Sequence, residues 1–82
     1  MDHARLLRNL RSIGMGCYVA YHDAFSDFSN SDDNLINLLI DAEQYTPLAS
    51  VTRVSKSREI MRAGRDRDAL KIISQASAWR RA

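Results

Sequence analysis

The stretch Asp32-Asp33-Asn34-Leu35-Ile36-Asn37-Leu38-Leu39-Ile40-Asp41-Ala42-Glu43-Gln44-Tyr45-Thr46-Pro47 decides the fold class. Its apolar residues recur at helical rather than alternating spacing. Leu35, Ile36, Leu38, Leu39, Ile40 and Ala42 cover more than one face, which predicts a helix either central to a core or shared between a core and a partner. Asp32 and Asp33 suit the positive end of that helix. Thr46 reads as the N-cap of the next helix and Pro47 as its first residue, because the residue before a proline avoids helical angles.

Toward the C-terminus, Leu48, Val51, Val54, Arg58 and Met61 form one stripe, with Ile60 off it. The segment is either one helix to Ala63 or a helix that turns near Ser55, and Gly64 closes it as a C-terminal cap. A last helix opens with Asp66 as N-cap. Ala69, Ile72, Ile73, Ala76 and Trp79 make its apolar face, with Leu70 beside them.

Toward the N-terminus, Ser29 to Asp33 is a polar linker rich in capping residues. Before it, Cys17, Tyr21, Ala24 and Phe28 form a helical seam flanked by Tyr18 and Phe25. Leu7, Leu10 and Gly14 continue the same frame. Residues 3–28 are therefore one helix kinked at Gly14-Met15-Gly16, or two helices, the first capped by Asp2. No strand pattern persists. The expectation is an all-α protein, a compact bundle of four or five short helices in a single domain over residues 1–82. Tyr21, Phe25, Leu39, Leu70 and Ile73 are expected in its core.

A chain of 82 residues has a thin core. With one Cys it has no internal disulfide, so stability must come from helix packing or from a partner. Cys17 in an apolar pattern fits a reducing compartment and predicts a cytoplasmic location. Met1 to Arg5 carries no apolar stretch of the signal-peptide kind. The segment Leu35 to Ile40 is far shorter than the roughly 20 apolar residues a membrane span requires. No membrane partner is expected.

Charge is separated along the chain. No Lys or Arg lies between Ser12 and Thr52, where Asp23, Asp27, Asp32, Asp33, Asp41 and Glu43 stand. From Arg53 onward nine bases face three acids. The chain is thus electrically two-sided along its sequence.

No catalytic, metal or phosphate-loop motif stands out, and neither an enzyme nor a cofactor is expected. Cys17 and His22, five helical residues apart, would sit about 140° apart around a helix and cannot pair within it. Gly14-Met15-Gly16 follows no strand and is better read as a place for close helix packing.

The leading expectation is a non-enzymatic protein-interaction module that self-associates as a homodimer, with Leu35, Leu38 and Trp79 at its interface and another protein as a further partner. A second reading comes from Leu48 to Arg62, which loosely resembles a helix-turn-helix. Ala49 would take the tight position on the first helix, Val54-Ser55 the turn, and Lys56, Ser57 and Arg58 the start of the recognition helix. The pattern departs at Arg53, where glycine is usual, and at Glu59, where an apolar residue is expected. The resemblance implies a DNA- or RNA-binding regulator with Arg53, Lys56, Arg58, Arg62 and Arg65 as contacts. An echo of sterile-alpha-motif domains in Ile13-Gly14-Met15, Tyr18 and Phe25 does not extend to the remaining chain. One feature separates the two functions. Bases gathered on an exposed face favour nucleic acid. Bases paired with Asp23, Asp27, Asp41 and Glu43 are internal glue.

Overall fold

The computed structural model describes the backbone of residues 1–81 and the side chains of residues 1–76. Among these, six helices follow one another: α1 (His3–Ile13), α2 (Met15–Ala20), α3 (His22–Ser26), α4 (Asp32–Glu43), α5 (Pro47–Arg62) and α6 (Asp66–Arg81). The all-α bundle holds, with more helices than the four or five expected. The difference lies in residues 3–28, which divide twice. Gly14, at φ 86°, separates α1 from α2, and Tyr21, at φ −112° and ψ 18°, separates α2 from α3.

The helix starts follow local chemistry. The Asp2 carboxylate accepts from the Arg5 amide, the Ser31 hydroxyl from Asn34 and the Thr46 hydroxyl from Ala49. Each satisfies an amide that has no partner inside its own helix. Pro47 occupies the first turn of α5, which runs unbroken through Ser55. At its end the Arg65 amide donates to Ile60 O and the Gly64 amide to Met61 O. That pair of bonds, with Gly64 at φ 69°, is a Schellman closure. Asp66 is not the N-cap of α6. It is the first residue of the helix, and its carboxylate is turned to other partners described below.

Helix α5 is the hub, packing against α1, α3, α4 and α6. Its buried face is Ser50, Val54, Ser57, Arg58 and Ile60. This corrects the expected stripe: Leu48 and Val51 point outward, while Ile60 is fully buried. Two serines replace bulk on the inward face, so neighbouring helices pack on small side chains and on one long arginine. Their hydroxyls, with the Asn9 amide nitrogen, are buried without hydrogen-bond partners. The core is completed by Leu6, Leu10, Ile13, Tyr18, Phe25, Leu35, Leu39, Ala69 and Ile73. Phe25, Leu39 and Ile73 are buried as expected, while Tyr21 and Leu70 are half-buried. Phe28 leaves the seam and stands 55% exposed, because the break at Tyr21 and the end of α3 at Ser26 rotate it away. Tyr18 takes the buried place instead.

Among the described residues, no helix is long and apolar enough to cross a membrane.

Candidate functional site

The basic residues of α5 and its C-terminal turn do not form one surface. Three of the five proposed nucleic-acid contacts are engaged with backbone carbonyls of earlier segments. Arg53 donates to Ile13 O, the last residue of α1, and its guanidinium lies 4.0 Å from the Tyr45 ring centre. Arg65 donates to Met1 O, and its Nε lies 2.7 Å from an Asp68 carboxylate oxygen.

Arg58 is the most committed. It is 1% exposed and donates from Nη1 to Phe25 O at 2.9 Å and Asp27 O at 3.2 Å, and from Nη2 to Asn30 O. Its Nε sits 3.3 Å from an Asp32 oxygen without hydrogen-bond alignment, so that contact is a charge attraction only. The Phe28 ring covers the guanidinium at 4.4 Å. The arginine thus threads the turn between α3 and α4 from below, while Phe28 shields it from above. The assignment of Arg58 to a nucleic-acid contact is corrected: the guanidinium is buried and both of its terminal nitrogens donate to backbone carbonyls. Lys56 is half-buried and Arg62 is exposed, with Arg62 5.7 Å from the Phe28 ring centre.

The alternative of internal pairing with Asp23, Asp27, Asp41 and Glu43 is not met by ion pairs to those four residues among the described residues. Among the described residues, the Lys/Arg ion pairs are Arg5–Glu59 at 2.6 Å, Arg58–Asp32 and Arg65–Asp68. Glu43 instead accepts from the Tyr21 hydroxyl at 2.6 Å, which pushes the phenol up to about 12. Asp27 accepts from the amide and hydroxyl of Ser29, and these bonds hold its carboxyl below the usual range. Arg53 and Arg58 therefore tie α5 to the preceding segments through backbone carbonyls, with Asp32 the carboxylate beside Arg58.

The expected interface divides likewise. Leu35 is 1% exposed inside the core and cannot face a partner, which corrects that assignment. Leu38 is 40% exposed. The Trp79 side chain lies outside the described residues. Besides Phe28, three further apolar residues are exposed: Val19 on α2 at 50%, and Leu48 at 78% and Val51 at 46%, one turn apart on α5. Glu43 marks the flank of α4 that meets Tyr21. Leu38, about 140° away around the helix, belongs to the opposite flank. Leu38 on α4 and Leu48 and Val51 on α5 are each exposed to solvent.

A polar cluster at the start of α6 has no counterpart in the sequence reading. The Tyr18 hydroxyl donates to an Asp66 carboxylate oxygen, and His22 Nε2 lies 2.9 and 2.8 Å from the two oxygens of the same group. His22 Nδ1 is 3.5 Å from Asp23. The bond to Asp66 raises the pKa of His22 although partial burial opposes it. Burial and the same carboxylate push the Tyr18 phenol well above its ordinary value, so it stays a donor. The one available signal was the four-residue spacing of Tyr18 and His22, which pairs them on a helical face. Nothing local pointed to Asp66.

Cys17 is buried beside Arg53, and burial raises its thiol pKa, so a thiolate is disfavoured. An open cleft of about 300 Å³ is lined by His3, Arg65, Asp68, Lys71, Ile72 and Gln75. Arg65, its central cation, is already paired there with Asp68. Among the described residues, no group of three His, Cys, Asp or Glu side chains is placed to hold a metal ion.

No protein-family model matches this chain, and no curated protein or solved structure matches it significantly.

Proposed function

We propose that this chain is a non-enzymatic protein-interaction module that self-associates through the outer face of its α4–α5 hairpin. One observation carries the reading: Leu38 of α4 and Leu48 and Val51 of α5 stand exposed on the hairpin of a domain with a thin core. Burying a leucine or valine side chain stabilises by about 1.5–3 kcal/mol, so a second copy seated there offsets a deficit the monomer carries. A reducing, cytoplasmic setting suits a single buried thiol.

Light scattering tests the reading. At micromolar concentration the chain should report about twice its own mass, and the Leu48→Glu, Val51→Glu double variant should report one. A strictly monomeric wild-type chain at every concentration removes the proposal.

The nucleic-acid reading has less behind it. Arg53, Arg58 and Arg65 hold carbonyls, which leaves Lys56 and Arg62 from the five residues to meet phosphates.

A further inference from the structure

The Tyr18–Asp66–His22 cluster joins three helices at one carboxylate. Tyr18 belongs to α2, His22 opens α3 and Asp66 opens α6. Among the described residues, helix α6 meets α1 and α5 along shorter stretches than those by which α1 and α4 meet α5. Ala69 and Ile73 anchor it by burial, and Arg65 ties its approach to Met1. The Asp66 bonds therefore form a large part of what holds the start of this helix. No other basic side chain shares the carboxylate among the described residues.

We propose that this cluster is a proton-controlled latch on α6: protonated His22 clamps Asp66 between two helices, and loss of the proton loosens α6 while α1, α4 and α5 stay packed. The groups facing the imidazole are few. Asp66 meets it from α6, Asp23 from its own helix and Tyr18 from α2. From α5 the group at the cluster is the uncharged Met61 sulfur, 3.8 Å from the Tyr18 oxygen. Both ring nitrogens thus look toward carboxylates, an arrangement that suits a ring carrying two protons. The neutral ring keeps one N–H for Asp66 but gives up the charge that strengthens the bond.

The sign follows from linkage. The pKa of His22 is raised in the folded state, so the latch contributes fully below the ordinary histidine range. Its contribution is lost as pH rises through the raised value. Each unit of elevation corresponds to a tenfold change in the closed-to-open ratio of α6.

Hydrogen exchange read residue by residue, corrected for the intrinsic pH dependence of amide exchange, tests the latch beside an NMR titration of the His22 ring. Protection of the Leu70 to Ala76 amides should fall across the His22 titration by the factor its pKa elevation dictates. Protection of Val54 to Ile60 should stay constant. In His22→Gln the α6 amides should show flat protection at the high-pH level of the wild type. In Asp66→Asn the His22 ring should titrate nearer its ordinary value. An α6 protection that ignores the titration, or that falls in step with α5, overturns the proposal in the wild-type chain alone.

Discussion

Gly14 and Arg53 depend on each other: a Cβ on Gly14 would stand 3.1 Å from Arg53 Nη1, the nitrogen that bonds the carbonyl of Ile13. The missing side chain does two things at this point. It permits φ 86°, which ends α1, and it clears the path by which α5 reaches the end of that helix. The neighbouring Gly16 meets nothing within 4 Å. The two glycines therefore have opposite prospects.

Gly14→Ala should destabilise the chain by about 1–3 kcal/mol, since backbone strain at positive φ is joined by a crowded guanidinium. Gly16→Ala should be neutral or stabilising by up to about 1 kcal/mol, since it lies inside a helix with open space around it. Urea denaturation midpoints of the two variants give the comparison, and equal effects would contradict the Gly14–Arg53 relationship.

The inward serines of α5 make a second comparison. Ser57 is fully buried with an unpartnered hydroxyl, so Ser57→Ala removes a desolvated polar atom at little loss of volume. It should leave stability unchanged or raise it by about 1 kcal/mol. Ser57→Leu adds bulk where helices meet on small side chains and should cost about 1–3 kcal/mol. Thermal melts that rank leucine above alanine would mean that the packing at this position is loose.

Nucleic acid offers a third test. Fluorescence anisotropy with a labelled duplex should show no binding at physiological salt. If weak binding is seen at low salt, its logarithm should fall with log salt by about 0.9 per phosphate neutralised. Lys56→Ala and Arg62→Ala should then weaken it without regard to sequence. Sequence-selective binding at physiological salt would restore the regulator reading.

What the sequence made legible was local. Asp2, Thr46-Pro47 and Gly64 act within a turn of their own positions, and each caps or closes a helix as its chemistry dictates. The apolar spacing found Leu39, Phe25 and Ile73 for the same reason. What it did not reveal was set by distant partners. Arg58 read as a nucleic-acid contact because the carbonyls it binds lie about thirty residues earlier, in a turn whose path depends on the fold. Leu35 and Leu38 were indistinguishable as interface candidates until α4 had a definite inward side. Asp66 carried a perfectly good capping signal, and only the approach of Tyr18 and His22 diverts its carboxylate.

The arginine-to-carbonyl ties are the centre of this account, and Arg58 tests them most directly. Equilibrium unfolding of Arg58→Ala should show a loss of about 3–5 kcal/mol, because a guanidinium only 1% exposed is removed together with its bonds to three backbone carbonyls. Arg62→Ala, an exposed base on the next turn of the same helix, should stay within about 0.5 kcal/mol of wild type. That wide separation is the predicted result. Equal and small losses at both positions would contradict the account and return Arg58 to the surface.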